Sequence, residues 1–175
     1  MVQIVEFTDY QCPFCARHDL PTYSQIIENM VEISMVRYIF KDLPLTSLHP
    51  QATLGAEAAR CAGAKEMGLD DYVEMHNILF EKQNDWSFQS NAADLFVDYA
   101  AEIGLERESM MTCLENHDFE SQVEADVQEA MQLGFNGTPT FLINGQPLVG
   151  EQPYELFVQA VETLIAEETV QTGGN

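Results

Sequence analysis

A chain of 175 residues, 46% hydrophobic and 10% aromatic, has the composition of one globular domain and not of a disordered protein. The chain has 7 basic and 29 acidic residues. The resulting net charge of −22 excludes the basic surface that nucleic-acid binding requires. No apolar run reaches the roughly 18 residues of a membrane span, so the sequence predicts no transmembrane helix.

The acidic residues have two possible explanations. They form a solvated coat suited to a salty or demanding environment, or they attract a cationic partner. The acids are spread along helical stretches and do not gather in one block, which favours the coat.

The first predicted elements form a β-α-β unit. Val2–Thr8 reads as a buried strand, and a helix follows from about Cys12 to Asn29. Pro21 lies inside that helix and predicts a kink, because proline removes a backbone donor. The stretch 31–40 is apolar on both alternating faces, which is typical of a central strand. Strand signal at residue 2, with no signal peptide before it, leads us to expect a longer exported precursor.

The rest of the chain is predicted as a helical block followed by a hairpin and a last helix. Predicted helices cover 52–62, 70–81, 91–103, 106–115 and 119–133, and 83–92 is predicted as a loop. Asn144-Gly145 between two apolar runs is a strong hairpin signal. This order predicts an α/β protein with a thioredoxin-like fold and an inserted helical subdomain. The predicted domains are 1–49 with 134–170, which is discontinuous, and the helical insertion 50–133.

Two distant motifs carry the chemistry. Cys12-Pro13-Phe14-Cys15 stands at a predicted helix start, and Gly137-Thr138-Pro139-Thr140 enters a predicted strand about 120 residues later. Two cysteines with this spacing can act as one redox unit, with Cys12 as the exposed nucleophile at the helix N-terminus and Cys15 as the buried resolving thiol. A structural disulfide or half of a zinc site is the alternative. Zinc would need two more ligands, and the sequence has no second CxxC and no HxxxH-type pair, so neither a metal nor another cofactor is predicted.

The segment 4–15, Ile-Val-Glu-Phe-Thr-Asp-Tyr-Gln-Cys-Pro-Phe-Cys, resembles the active-site signature of DsbA-like thiol:disulfide oxidoreductases. The similarity is greatest to the branch of thioredoxin-like disulfide-bond formation proteins. It continues through 57–62 and 137–141 and covers essentially the whole chain. The sequence departs from the family in two ways: the usual N-terminal edge strand is missing or reduced, and Phe14 replaces the histidine of the best-known strong oxidants. Phe14 adds no donor to a Cys12 thiolate, which predicts a weaker oxidant.

The resemblance assigns roles to further residues. Glu6 matches a buried acid beneath the cysteine pair, although strand alternation alone also allows an outward-facing carboxylate. Pro139 matches a cis-proline whose preceding residue, Thr138, presents backbone to the substrate, and an ordinary trans proline is the alternative. We expect Phe14 to bind substrate together with Thr138 and Pro139. His18, three residues after Cys15, could face the site from the same helix, but a polar surface position is the simpler interpretation.

The two remaining cysteines, Cys61 and Cys113, fall in the helical block. Members of the resembling branch carry a cysteine pair here, which implies a structural disulfide and an oxidising compartment. Two buried free thiols are the alternative.

The function expected from the resemblance is that of a monomeric oxidoreductase, periplasmic or otherwise extracytoplasmic, that introduces disulfides into exported proteins. Its partners would be reduced or misfolded exported proteins and a membrane quinone-linked reoxidant of the DsbB or VKOR type. Two alternatives stay open: a disulfide reductase or isomerase, and a thioredoxin-like peptide-binding or regulatory module.

Overall fold

The computed structural model describes residues 1–64 and 68–172. Its elements in chain order are β1 (Val2–Thr8), α1 (Pro13–His18), a π-helical turn (Asp19–Tyr23), α2 (Ser24–Ile26), a second π-helical turn (Ile27–Val31), β2 (Val36–Asp42), α3 (Ala52–Ala62), α4 (Gly68–Glu81), α5 (Gln83–Trp86), α6 (Ala92–Glu102), α7 (Arg107–Glu115), α8 (Glu120–Gln132), β3 (Thr140–Ile143), β4 (Gln146–Val149) and α9 (Tyr154–Thr172). In the part of the chain so described, no helix is both long and apolar enough to cross a membrane.

The strands form one mixed sheet in the order β2-β1-β3-β4. β1 and β2 are parallel, with Val2 opposite Val36, and β1 and β3 are antiparallel, with Phe7 opposite Thr140. β1 is a central strand, which agrees with its apolar sequence. The hairpin between β3 and β4 turns at Asn144-Gly145, both at positive φ, as that dipeptide predicts.

Two predicted elements differ from the structure. The second strand was expected over 31–40, but it covers Val36–Asp42, because Val31 still belongs to a helical turn and Ser34 (φ 61°) makes the turn into the strand. The segment after Glu81, expected as a loop, begins with the short helix α5. The predicted kink at Pro21 corresponds to a change from α-helical to π-helical backbone.

The sheet has a core on each face. On one face Val2 and Ile4 pack with Phe141, Phe157 and Val161, which joins β1 to β3 and α9. On the other face Phe7 packs with Leu43 and Ala130, which covers the sheet with α8. Alternate residues of β1 therefore point to different helices, and Glu6 shares the face of Ile4.

The helices between β2 and β3 have a core of their own, with Phe80, Trp86 and Phe96 fully buried. Tyr10, Cys12 and Cys15 belong to this same cluster, so the CxxC segment lies where the helical core meets the sheet.

A disulfide and an ion-pair network hold the helical region together. Cys61 in α3 is bonded to Cys113 in α7, with Cα atoms 6.0 Å apart, which is the pairing that the resemblance implied. Arg60, next to Cys61, binds Asp42 at the end of β2 and Asp126 in α8. Both carboxylates are nearly inaccessible to solvent, so Arg60 supplies the charge that their burial requires.

Candidate functional site

The CxxC motif lies at the start of α1. Cys12 is the N-cap residue in an extended conformation (φ −77°, ψ 122°), and Pro13 occupies the first helical turn, where its missing N–H costs nothing. The amide of Gln83 donates to the carbonyl oxygens of Tyr10 (2.8 Å) and Cys12 (3.0 Å). α5 therefore fixes the backbone of the segment that carries the nucleophile.

Asp9 organises the loop between β1 and the motif. Its Oδ1 accepts the backbone N–H of Gln11 at 2.8 Å, and its Oδ2 accepts the N–H of Leu45 at 2.8 Å. Nδ1 of His49 lies 2.7 Å from the same Oδ2. The buried carboxylate thereby joins the start of the motif to the loop after β2, which holds Cys12 in place.

Cys12 is poised to be a thiolate. The pKa of this thiol is lowered to about 6, chiefly by a hydrogen bond from the Cys15 thiol and further by the Thr138 hydroxyl and the backbone N–H groups of Phe14 and Cys15. Partial burial opposes this shift. A group with this pKa is mostly ionised at pH 7, which the nucleophile of disulfide exchange needs to be.

The expected exposure of Cys12 was wrong. Only 4% of Cys12 is accessible, and the exposed members of the motif are Pro13 and Phe14, the latter at 51%. The Cys12 side chain lies under the Thr138 segment, with Sγ 3.5 Å from the Thr138 carbonyl oxygen. A substrate sulfur must therefore reach Sγ of Cys12 through the small opening beside the Thr138 segment.

Cys15 has the opposite character. It is fully buried, as expected, and burial raises the pKa of its thiol far above the usual value, with further contributions from Cys12 and from the negative charge of Glu6. Both thiols are free in this structure. The pair thus consists of one ready thiolate and one thiol that needs a base before it can attack.

Glu6 is a candidate for that base. It is 1% exposed, which agrees with the buried position implied by the resemblance and excludes an outward-facing carboxylate. Burial raises the pKa of Glu6 to about 7, against the lowering effects of a positive charge on His76, of a hydrogen bond from Tyr38 and of the nearby Thr8 hydroxyl. A carboxyl group with this pKa can both give and take a proton near neutral pH.

The second sequence motif meets the first in space. The Thr138–Pro139 peptide bond is cis, and the Thr138 carbonyl oxygen faces Cys12 across 126 residues of sequence. The Thr140 hydroxyl donates to the Gly137 carbonyl at 2.7 Å and closes the turn into β3. Thr138 is half-buried beside Cys12, where its backbone could pair with an extended peptide.

Phe14 forms the apolar surface beside the opening. The Arg17 guanidinium lies 4.4 Å from the centre of its ring, and Arg17 in turn forms an ion pair with Glu151 at 2.8 Å. The exposed ring is thus held in one orientation between the motif and the loop after β4.

The sequence did not reveal the buried polar groups behind the pair. His18 is fully buried, contrary to the expectation of a surface position, because its ring packs on Phe141 and Phe157 with Nε2 3.1 Å from the Tyr38 hydroxyl. His76 is also fully buried, between Asp19 (2.7 Å) and the Tyr10 hydroxyl (2.8 Å). Their position on the inner faces of α1 and α4 was the only signal in the sequence.

The thioredoxin family model matches residues 1–163. The structure of α-DsbA1 from Wolbachia pipientis superposes with a TM-score of 0.83 over 98% of this chain and 89% of that one, at 18% identity. A Rickettsia prowazekii protein, named among the protein-disulfide oxidoreductases, is 23% identical over 96% of this chain and 59% of its own length.

A Na(+)/H(+) antiporter NhaA of Salinispora tropica is 31% identical over 99% of this chain, but this region makes up only 24% of the antiporter. The chain therefore spans about a quarter of one such relative and about three fifths of the other. In both relatives the matching region is part of a longer protein. The family match over residues 1–163 and the superposition lead to one conclusion: the chain belongs to the thioredoxin family, with the fold of the DsbA proteins.

Proposed function

We propose that the protein is an extracytoplasmic dithiol oxidase that introduces disulfides into exported proteins. The observation that carries this proposal is the difference between its two thiols, one with a pKa of about 6 and the other buried with a raised pKa. Stabilising the Cys12 thiolate stabilises the reduced pair, and a pair that is stable when reduced is an oxidising disulfide.

The reaction runs through a mixed disulfide. A substrate thiolate attacks Sγ of Cys12, the Cys12–Cys15 bond breaks, and Cys15 leaves with the electron pair and takes a proton. A second substrate thiolate then attacks the substrate sulfur of the mixed disulfide, which forms the substrate disulfide and releases the Cys12 thiolate. The protein has gained two electrons and must be reoxidised.

The structure suggests how a substrate would be held. Thr138 offers a backbone carbonyl beside Cys12 for pairing with an extended peptide, and the Phe14 ring offers an apolar contact. Both contacts suit an unfolded polypeptide, because they do not demand a particular side chain.

The second disulfide and the resemblance support the proposed location and partners. The Cys61–Cys113 disulfide suits an oxidising compartment such as the periplasm. By resemblance, the partners are reduced exported proteins and a membrane quinone-linked reoxidant of the DsbB or VKOR type.

The deciding experiment is a redox equilibrium with glutathione, combined with oxidation of a reduced peptide that carries two cysteines. An oxidase should equilibrate at a potential clearly less negative than the roughly −270 mV of thioredoxin, and should oxidise the peptide in many turnovers when glutathione disulfide is supplied. The variant Cys12→Ser should show neither property. A potential at or below that of thioredoxin would favour a reductase instead.

Replacing Phe14 by His should make the protein a stronger oxidant. An imidazole N–H would donate to the Cys12 thiolate but not to the disulfide, and one charge-assisted hydrogen bond of about 1.5–3 kcal/mol corresponds to roughly 30–60 mV. Equilibration with glutathione measures the shift, and Phe14→Leu, which keeps an apolar side chain, is the matched control. A shift toward more negative potential in Phe14→His would contradict this account of the thiolate.

A second candidate is a regulatory or peptide-binding module attached to a membrane protein. It is favoured by the antiporter relatives, in which the matching region is a minor part of a transporter. A module of this kind would bind peptides without turnover, so that Cys12→Ser and the wild type would bind a cysteine-free peptide equally while neither oxidised the reduced one.

A further inference from the structure

Tyr38 connects the buried acid of the site to the surface. The Tyr38 hydroxyl donates to Oε2 of Glu6 at 2.7 Å, which is among the shorter hydrogen bonds at the site. The same side chain is only partly buried and lines a groove of about 1010 Å³ beside β2, together with Tyr23, Phe40 and Tyr72. β2 is the edge strand of the sheet, and Phe14 is not among the residues that line this groove.

That hydrogen bond sets the tautomer of His18. The Tyr38 hydroxyl has one hydrogen, and when it is donated to Glu6 the Tyr38 oxygen can only accept. Nε2 of His18, 3.1 Å away, must then be the donor. Burial lowers the pKa of His18 to about 3, so the ring is neutral and Nδ1 carries no hydrogen. This agrees with the surroundings of Nδ1, which has no hydrogen-bond partner among the described residues.

We propose that Tyr38 is a positioning residue for disulfide exchange, whose hydroxyl stabilises the charged form of Glu6 and links this carboxylate to the groove beside β2. The proposal rests on the proposed function, in which Glu6 exchanges a proton with Cys15.

Glu6 loses a proton in one half-reaction and gains one in the other. When a substrate thiolate breaks the Cys12–Cys15 bond, Cys15 leaves as a thiolate and receives the proton of Glu6, which becomes a buried anion. During reoxidation Cys12 forms a mixed disulfide with the oxidant, and Sγ of Cys15 attacks Sγ of Cys12. The Cys15 proton goes to Glu6, and the sulfur of the oxidant leaves with the electron pair. Both steps need Glu6 to be stable in its charged form as well as its neutral one.

Several groups besides Tyr38 face Glu6 and act on its charge. They are Thr8 from β1, Cys15 from α1, Asp19 and Tyr23 from the following turn, and Tyr72 and His76 from α4, while His18 of α1 reaches Glu6 through the Tyr38 hydroxyl. A positive charge on His76 favours the carboxylate and the charge of Asp19 opposes it. The Thr8 hydroxyl lowers the pKa of both Glu6 and Cys15, although it makes no hydrogen bond of normal geometry.

The test is the pH dependence of the step in which Cys15 attacks. Reduced protein is mixed with glutathione disulfide, and the rate at which the Cys12–glutathione mixed disulfide is resolved is followed by rapid quenching and mass measurement from about pH 5 to about pH 9. In the wild type this rate should rise with ionisation of Glu6, around pH 7. In Tyr38→Phe the midpoint should move up by about one pH unit, because the carboxylate loses a charge-assisted hydrogen bond.

Tyr23→Phe is the matched control. Tyr23 lines the same groove and its ring lies 5.1 Å from that of Tyr38, but the Glu6 hydrogen bond belongs to Tyr38. This variant should keep the wild-type midpoint, and alkylation of Cys12 should keep its own midpoint near pH 6 in all three proteins. NMR titration of the Glu6 carboxyl carbon should show the same upward shift in Tyr38→Phe alone.

An unchanged profile in Tyr38→Phe, or an equal shift in Tyr23→Phe, would overturn the proposal. The experiments distinguish a failure of the proposed function from a failure of the role of Tyr38. If the shift is found but no peptide is oxidised, the proposed function is wrong and the role of Tyr38 in exchange with glutathione stands. If peptide oxidation is found without the shift, only the role of Tyr38 is wrong.

Discussion

Replacing Cys15 by alanine should raise the pKa of Cys12 well above its value of about 6, whereas Cys15→Ser should keep it low. The largest contribution to the low pKa is the hydrogen bond from the Cys15 thiol, and a serine hydroxyl can replace that donor while alanine cannot. Loss of a hydrogen bond to a charged group, about 1.5–3 kcal/mol, corresponds to roughly one to two pH units. The thiolate fraction at pH 7 should then fall from about nine tenths to between about one half and about one tenth in the alanine variant.

Thiolate absorbance against pH measures both variants, and alkylation at pH 7 gives an independent readout. Peptide oxidation should fall to the uncatalysed rate in both, because neither can form the Cys12–Cys15 disulfide. The two variants thus separate the roles of Cys15 as donor and as resolving thiol. Equal Cys12 titrations in the two variants would show instead that the helix start alone lowers the pKa.

Most of the fold could be predicted from the sequence because its signals are local. Helical periodicity, the Asn144-Gly145 turn and the apolar run of β1 each act over a few residues, and the structure confirms the elements that they predict. β2 was placed too early because Val31–Met35 continues its apolar character. Alternation cannot distinguish the end of a helix from the start of a strand when both are apolar.

Only the residues of the two motifs at the site could be predicted from the sequence. The two cysteines and Thr138-Pro139 are visible as motifs, and the structure brings Sγ of Cys12 to 3.5 Å from the Thr138 carbonyl oxygen. The partners of Glu6 are not visible, because Tyr38 is 32 residues away along the chain and packs against it only through the parallel pairing of β1 with β2.

The burial of polar residues could not be predicted from the sequence for the same reason. His76 meets Asp19 and Tyr10 at separations of 57 and 66 residues, and no periodicity records such contacts. The low exposure of Cys12 also depends on the distant Thr138 segment that lies over it. A pattern in sequence can identify the face on which a residue lies but not the group that covers it.

Opening the Cys61–Cys113 bridge should lower the free energy of unfolding by about 4 kcal/mol, because the bridge closes a long loop and restricts the unfolded chain. The two cysteines are 52 residues apart and join α3 to α7. Urea unfolding of the oxidised and reduced forms, in a Cys12→Ser/Cys15→Ser background, isolates this bridge from the redox pair. The oxidised form should also have the smaller m-value, because its unfolded state exposes less surface.

The double variant Cys61→Ala/Cys113→Ala separates the cross-link from the packing of its sulfur atoms. The reduced protein keeps both sulfur atoms and loses only the bond, while the alanine variant also loses volume beside a cavity of about 320 Å³ that the two cysteines line. We therefore expect the alanine variant to be less stable than the reduced protein, by about 1 kcal/mol or more. If the oxidised and reduced forms differed by less than about 1 kcal/mol, restriction of the unfolded chain would not be what this bridge contributes. The core formed by Phe80, Trp86 and Phe96 would then be sufficient to hold α3 against α7.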